Sequence, residues 1–200
     1  MKKQEIWREL AQRELARRSF AEYLAYVQGR MWKRTRMAEF LAGQLGCRVV
    51  HTDDFYLPLA VRCANWQEQP GANIDFIRLR NEVLQPLLRG ETALYNAYSC
   101  AAGAFLPSKP FAAAPLTILE GSYSHHPLLA GYETLRVFVT CSREEQTRRL
   151  QAREGERYAN FAARWIPLEE GYFAQYRIEE TADLAVDTTA ANSCAGMMCR

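Results

Sequence analysis

Short apolar runs separated by helical patterns are the feature that most constrains the fold of this 200-residue chain. Apolar runs of four or five residues predict strands, and they cover residues 24–28, 48–51, 116–119, 136–139 and 183–186. Helical patterns cover residues 3–22, 37–45, 76–88, 143–153 and 168–178. Short buried strands that alternate with helices form a parallel sheet with helices on both faces. We therefore expect an α/β fold with a parallel sheet of about five strands.

Capping and turn residues mark several of the boundaries. Gly46 follows the helix over 37–45, in the position that glycine favours after a helix. Asp75 can cap the helix over 76–88, which is expected to end before Gly90. Residues 92–115 contain tyrosines, small residues and three prolines, and they predict a hairpin or an extended excursion.

The length of the chain favours a single folded domain, since chains usually divide only beyond roughly 250–300 residues. A composition that is 48% hydrophobic supplies enough apolar material for a core. We expect a helix within residues 1–23, one domain over residues 24–187, and a tail over residues 188–200. The tail has no predicted element, which is compatible with disorder.

Charge and hydropathy argue against several classes of partner. The net charge is only +2 and the basic residues are scattered, whereas single-stranded nucleic acid binds to a basic groove with stacking aromatics. No apolar run approaches the ~20 residues that span a bilayer, and the amino terminus is charged and amphipathic, unlike a secretory signal. We expect a cytoplasmic protein without nucleic-acid or membrane partners. Nothing in the sequence predicts an oligomeric state.

The six cysteines do not predict a metal site, because they include neither a CxxC pair nor a histidine at zinc-ligand spacing. We expect the first four, Cys47, Cys63, Cys100 and Cys141, to be free buried thiols. The other two lie in the tail and can as easily be exposed.

Acidic residues follow two of the predicted strands. Asp53 and Asp54 come after the strand over 48–51, and Glu120 comes after the strand over 116–119. Ligands of parallel sheets bind outside the carboxyl ends of the strands, where a carboxylate can take a proton from a hydroxyl or support a metal ion. The alternative is that the two aspartates only cap a turn.

A group of arginines lies on the predicted helix over 143–153. Arg149 and Arg153 are four residues apart and share a helix face, next to Arg148. These side chains form either a solvated surface or a lid that neutralises charge on a transferring phosphoryl group.

In their order along the chain, these motifs resemble those of the uridine kinase family of P-loop kinases. The resemblance covers roughly residues 24–187 and rests on Asp53-Asp54-Phe55-Tyr56, Asn65-Trp66 with Pro70 and Ile74-Asp75, Leu87-Leu88-Arg89-Gly90 with Tyr95 and Tyr98, Ile118-Leu119-Glu120-Gly121 with Tyr123, Arg148-Arg149-Leu150 with Ala152-Arg153-Glu154-Gly155, and Ala182-Asp183-Leu184-Ala185-Val186-Asp187. It implies a P-loop NTPase-type three-layer fold with an arginine-bearing lid. It also implies ATP and Mg²⁺ as cofactors, and a nucleoside or other small-molecule alcohol as the substrate.

The resemblance implies roles for four polar residues. Asp53 would be the base that orients the substrate hydroxyl, because it occupies the first acid of the family's acid-x-Phe-Tyr motif. Tyr56 would line the substrate pocket, and Glu68 lies near an acid that relatives place on the ribose. Glu120 would support the metal ion.

Aromatic and basic residues complete the implied site. Tyr95 and Tyr98 match hairpin aromatics that grip the base or the sugar, although they could equally be packed hairpin residues. Arg148, Arg149 and Arg153 would form the lid.

The segment that should form the phosphate-binding loop departs from the family pattern. The G-x-x-x-x-G-K-[ST] loop wraps phosphates with backbone N–H groups and reaches them with its lysine. Gly29 can match the first glycine, but no second glycine appears before Gly43, and Lys33 and Thr35 have the right chemistry at the wrong spacing. Met31-Trp32 places bulk where the backbone must approach the phosphate. Taken literally, this loop predicts poor use of ATP.

Two compensating frame changes would explain the altered loop. Met31 and Trp32 each have a single codon, and reading these codons one base later gives Cys-Gly; suitable codons at 33–35 continue with Ser-Gly.

Three accounts remain open. The chain is a kinase with an altered or frame-shifted loop, a catalytically inactive pseudokinase that binds a nucleoside-like ligand or a partner, or the same fold acting on an unrelated small alcohol.

Overall fold

The computed structural model describes residues 34–133 and 135–189, and these belong to two compact units. The first unit contains residues 34–132 and 164–176, and the second contains the described residues of 133–163 and 177–189. The helix predicted over 3–22, the strand predicted over 24–28 and the tail from residue 190 lie outside the described residues.

The elements are named in chain order. The helices are α1 (Arg34–Leu45), α2 (residues 76–88), α3 (Arg143–Glu154), α4 (Tyr158–Gln175) and α5 (Ile178–Thr181). The strands are β1 (Arg48–His51), β2 (Ala93–Tyr95), β3 (Tyr98–Ser99), β4 (Ala104–Phe105), β5 (Lys109–Phe111), β6 (Thr117–Glu120), β7 (Val137–Thr140) and β8 (Leu184–Asp187).

A parallel pair of strands, β1 and β6, lies in the first unit. Helix α1 ends before Gly46, whose φ of +63° is in the left-handed region that glycine adopts readily. Strand β1 follows with the predicted bounds, and Val50 at its centre is fully buried. The register of β1 and β6 pairs His51 with Glu120, so both strands end at the same edge.

Helix α2 is capped as predicted, because Asp75 Oδ1 accepts a hydrogen bond from the backbone N–H of Arg78 at 2.9 Å. Its central stretch, Leu79–Leu84, has π-helical geometry, and Val83 in that stretch is fully buried. The helix ends before Gly90, which has a φ of +77°.

Residues 92–115 form the predicted hairpin, in two short antiparallel steps. Strand β2 pairs with β5, and β3 pairs with β4 nearer the tip. Arg78 fixes the hairpin to α2, since its Nη2 donates to the carbonyl oxygen of Asn96 at 2.8 Å.

An aromatic cluster closes the core of the first unit. Tyr172 of α4 is fully buried and packs edge-on against Tyr123 at 5.0 Å between ring centroids. His126 stacks between Phe76, at 4.1 Å, and Tyr172, at 6.3 Å. Burial lowers the pKa of His126, so this imidazole behaves as a neutral core ring at physiological pH.

The second unit is built around strands β7 and β8, which pair in parallel. Helix α3 is capped by Ser142, whose Oγ accepts from the backbone N–H of Glu145 at 3.3 Å, and it ends at Gly155, which has a φ of +56°. Thr188 is buried directly after β8, and its Oγ1 donates to the carbonyl oxygen of Thr140 at 2.8 Å.

The predicted sheet of about five strands needs correction. Residues 34–133 and 135–189 contain four of the five predicted strands, each within one residue of its expected bounds, but as two separate parallel pairs. The fifth expected strand, over 24–28, is not among the described residues. A strand count follows from sequence runs, whereas pairing depends on hydrogen bonds that the runs do not specify.

Two further expectations need correction. The helix predicted over 168–178 begins ten residues earlier, at Tyr158, and continues through Pro167 to Gln175. The thiols of Cys63 and Cys100 are exposed instead of buried, and those of Cys47 and Cys141 are half-buried, because the first two lie in a surface turn and at the hairpin tip.

Among the helices of residues 34–133 and 135–189, none combines the length and the apolar character needed to cross a membrane.

Candidate functional site

The carboxyl ends of β1 and β6 bring two ionisable side chains together. His51 Nδ1 lies 2.8 Å from Glu120 Oε2, with the imidazole 33% and the carboxylate 13% exposed. The hydrogen bond that His51 donates to Glu120 raises the pKa of His51 above its ordinary value. Burial opposes this shift, while the negative charges of Glu120, Asp54 and Asp53 add to it. Protonated His51 therefore forms a partly buried ion pair with Glu120.

Gly121 allows the chain after β6 to approach the turn after β1. Its φ is +141°, and a Cβ atom at this position would lie 1.7 Å from Oγ1 of the buried Thr52. Only glycine fits here.

Asp53 and Tyr56 meet in the turn that follows β1. Asp53 is exposed within the turn Thr52–Phe55, and its carboxylate lies close to the hydroxyl of Tyr56. Burial raises the pKa of Tyr56 far above its ordinary value, and the charge of Asp53 raises it further. The phenol therefore remains protonated beside Asp53. An exposed carboxylate in this place can accept a proton from a bound hydroxyl.

Asp54 connects the same turn to the hairpin. The hydroxyl of Tyr95 donates to Asp54 Oδ2 at 3.0 Å, and the ring of Tyr95 stacks on Phe55 at 5.0 Å between centroids. Burial is the main cause of the raised pKa of Tyr95, and Asp54 contributes as well. The two neighbouring aspartates thus have different partners: Asp53 contacts Tyr56, and Asp54 contacts the hairpin.

The other two expected substrate residues of the first unit lie near this centre without joining it. Tyr98 is half-buried on β3, where its ring packs edge-on against Phe105 at 5.3 Å, and β3 packs against the turn Thr52–Phe55. Glu68 is exposed at the end of the short turn Trp66–Glu68.

The three lid candidates lie on α3 in the second unit and differ in their contacts. Arg148 is 57% exposed and pairs with Glu145 at 2.7 Å. Arg149 is 11% exposed; its Nε donates to Glu145 Oε1 at 2.6 Å, and its Nη2 donates to the carbonyl oxygen of Thr188 at 2.7 Å. Arg153 pairs with the adjacent Glu154 and lies over the ring of a phenylalanine on α4. Arg149 therefore fixes the end of β8, while the other two are the more accessible cations.

The residues expected to hold ATP fall mostly outside the described chain. Gly29 and Lys33 are not among the described residues. Thr35 lies in the first turn of α1, where its backbone is helical.

Sequence reasoning assigned no role to several residues that line this centre. His51 pairs with Glu120 because two strands distant in sequence end in register, and that register was not readable from the sequence. Tyr123 contributes to the raised pKa of Tyr56. Arg62 lies over the ring of Tyr56, with its guanidinium carbon 5.7 Å from the ring centroid.

The side chains at this centre match the ligand preference of Mg²⁺ only in part. No group of three or more His, Cys, Asp or Glu side chains in the part of the chain that the structure describes is arranged to hold a metal ion. Mg²⁺ typically takes only one or two protein carboxylates and completes its shell with water and substrate phosphates. Glu120 fits that use, but it would share its carboxylate with His51.

Comparisons with known proteins identify the fold. No protein-family model matches the chain, and no curated protein matches its sequence. Among solved structures, the chain is similar to a possible uridine kinase from Bacillus stearothermophilus, with a TM-score of 0.60 and 16% identity over 77% of this chain and 82% of that one. A candidate fructose transport system kinase from Silicibacter sp. TM1040 matches with a TM-score of 0.47 and 18% identity over 76% and 81% of the two chains. The first likeness confirms the expected α/β kinase-like fold, and at this identity it shows the fold alone.

Proposed function

We propose that this chain is an ATP-dependent phosphotransferase that acts on a hydroxyl of a nucleoside or a similar small alcohol. The observation that carries the proposal is the exposed carboxylate of Asp53, which lies beside Tyr56 at the carboxyl end of a parallel strand. Glu120 ends the neighbouring strand at the same edge. This edge is where ligands of parallel α/β sheets bind, and the kinase-like fold supports the assignment.

In the proposed reaction, Asp53 takes the proton of the attacking hydroxyl. Its exposure makes it accessible to a small alcohol, and the turn Thr52–Phe55 holds it beside Tyr56. Phosphoryl transfer depends mainly on positioning and on electrostatic stabilisation, so a base that is held in place contributes even when little proton transfer has occurred. Tyr95 and Tyr98 present aromatic surface beside the same turn, which suits a sugar or a base.

The cofactors belong to this proposal. ATP would supply the phosphoryl group, and Mg²⁺ would neutralise phosphate charge near Glu120. Gly29, Lys33 and Thr35 are the residues proposed to contact the nucleotide, and Glu68 is proposed to contact the acceptor. The proposal also includes a cytoplasmic location, where ATP is available.

The arginines of α3 are proposed to neutralise charge on the transferring group. Arg148 and Arg153 are the more exposed of the three, so they can exchange their glutamate partners for phosphate oxygens. Arg149 already donates to a glutamate and to a backbone carbonyl, and its contribution is to hold α3 against the end of β8.

Incubation with Mg²⁺-ATP and a panel of nucleosides, sugars and other small alcohols tests the proposal. Mass spectrometry of the acceptors should reveal a phosphorylated product that forms only with active protein. Arg89→Gln provides a matched control, because this exposed arginine pairs only with its neighbour Glu91 on the surface. A complete panel without any phosphorylated acceptor would contradict the proposal.

A second candidate is an inactive relative that binds the acceptor without transfer. The observation that favours it is the lack of a second glycine between Gly29 and Gly43, with Met31-Trp32 in the loop. Thermal unfolding separates the two candidates, because a ligand at 100 times its dissociation constant stabilises a protein by ~2.7 kcal/mol. A shift with acceptors and none with Mg²⁺-ATP supports the inactive reading, whereas shifts with both support the kinase.

A further inference from the structure

Two arginines from different segments of the first unit contact the ring of Trp66. The guanidinium carbon of Arg62 lies 4.6 Å from the ring centroid, and that of Arg164, on α4, lies 5.1 Å from it. Trp66 is only 6% exposed and packs against Trp165 at 6.0 Å between centroids. Arg62 is held further by its Nε, which donates to the carbonyl oxygen of Leu57 at 2.8 Å. One buried ring thus gathers two cations at a defined place.

These cations are not neutralised by acidic neighbours. Over residues 34–133 and 135–189, neither Arg62 nor Arg164 forms an ion pair with a carboxylate. The arginines that do pair with a glutamate are Arg78, Arg89, Arg136, Arg148, Arg149, Arg153, Arg157 and Arg177. Two guanidinium groups beside one ring concentrate positive charge there, which favours an anionic ligand.

The arginine pair adjoins the proposed acceptor site. Arg62 lies over the ring of Tyr56 as well as over Trp66, and the carboxylate of Asp53 lies near the hydroxyl of Tyr56. One aromatic ring therefore separates the proposed base from the nearer cation. A small alcohol with its hydroxyl at Asp53 can extend across Tyr56 and reach Arg62 with its other end.

We propose that Arg62 and Arg164 bind an acidic group of the acceptor, so that the substrate is a small alcohol that carries a phosphate monoester or a carboxylate. This inference rests on the proposed function, and it names the class of acceptor. The planar guanidinium forms two parallel hydrogen bonds to a phosphate or a carboxylate, and stacking on an aromatic ring orders it beforehand. A neutral nucleoside would leave both cations without a counter-charge.

Binding of matched neutral and acidic sugars, measured by calorimetry without ATP, tests the inference. The pairs are ribose with ribose 5-phosphate, and glucose with glucuronate, which separate the phosphate from the carboxylate source. We expect one acidic member to bind on the order of 10- to 100-fold more tightly than its neutral partner, the range for charge-assisted hydrogen bonds. Arg62→Gln and Arg164→Gln should each reduce that preference about tenfold or more, while Arg89→Gln should leave it unchanged.

Salt dependence in the wild-type protein keeps the test valid where a variant does not fold. Raising the ionic strength from 0.05 to 0.5 M should weaken binding of the acidic probe and leave the neutral one unaffected. Equal affinity for neutral and acidic members, no binding of any acidic probe, or a preference that survives both substitutions would overturn the inference. Calorimetry measures binding and needs no turnover. An absence of phosphoryl transfer would therefore reject the proposed function and would not reject the inference. Wild-type rates on an acidic acceptor in the Arg62→Gln and Arg164→Gln variants would reject the inference alone.

Discussion

His51 Nδ1 and Glu120 Oε2 lie 2.8 Å apart at the carboxyl ends of two strands that are neighbours in space but distant in the sequence. This pair joins the end of β1, from which Asp53 follows, to the end of β6, from which Gly121 follows. It therefore holds together the two segments that carry the proposed acid–base and metal-supporting groups.

The first prediction is a raised pKa for His51. Proton NMR of the imidazole should give a midpoint above the ordinary value of 6.5, because the hydrogen bond to the Glu120 carboxylate favours the charged form. Glu120→Gln should return the midpoint towards 6.5. The pair stabilises the fold fully below pH 6.5, and this contribution is lost as the pH rises through the folded-state pKa. His126 serves as the internal reference, since burial lowers its pKa in both proteins. A midpoint below 6.5 for His51 would contradict the assignment.

A second prediction concerns Gly121. Gly121→Ala should destabilise the protein by at least about 1–3 kcal/mol, the usual cost of inserting a methyl group into a packed interior, because its Cβ would meet Thr52 Oγ1. Gly43→Ala is the matched control, since this helical glycine has open space around it; it should stabilise by roughly 0.5–1 kcal/mol. Urea unfolding measures both. Equal effects of the two changes would show that Gly121 is not tightly enclosed.

The third prediction concerns Arg148 and Arg149, two lid candidates that both pair with Glu145. Arg149→Gln should cost about 1.5–3 kcal/mol of stability, the range for hydrogen bonds to charged groups, because Arg149 is largely buried against Glu145 and Thr188. Arg148→Gln should leave the unfolding midpoint almost unchanged, since solvent screens its exposed pair. Arg148 is nonetheless the largest contributor to lowering the pKa of Glu145 to about 2, followed by the hydrogen bond from Arg149. Equal losses for the two variants would contradict the contrast between a buried and a screened pair.

Local sequence signals predicted much of the fold. Strand β1 was predicted with the correct bounds because β-branched residues lie between a glycine and a pair of aspartates, and α2 was predicted because Asp75 caps its start and Gly90 follows its end. The start of α4 at Tyr158 was missed; the helix continues through Pro167, a residue type that usually ends or kinks a helix.

Long-range contacts could not be predicted in the same way. The closeness of His51 and Glu120 depends on strand register, and the gathering of Arg62 and Arg164 on Trp66 depends on where α4 packs. Neither residue pair has a local signal. Among the residues of the expected site, the closeness of Asp53 and Tyr56 could be predicted from the sequence, because the two residues are three positions apart in one motif.

A fourth prediction addresses the altered phosphate loop. If two compensating frame changes produced it, sequencing the gene across codons 28–38 should reveal codons that read Cys-Gly-Ser-Gly one base later, starting at Met31-Trp32. Codons at 33–35 that cannot encode serine and glycine in the shifted frame would eliminate this explanation.

The most direct test of the central claim compares Asp53→Asn with Asp54→Asn in single-turnover phosphoryl transfer from Mg²⁺-ATP to an accepted alcohol. The account predicts that Asp53→Asn reduces the rate by roughly 10²–10⁴-fold, the usual contribution of a positioned base. Asp54→Asn should have a much smaller effect, because Asp54 contacts Tyr95 on the hairpin. An unchanged rate in Asp53→Asn, or no transfer by the wild-type protein to any alcohol, would contradict the account.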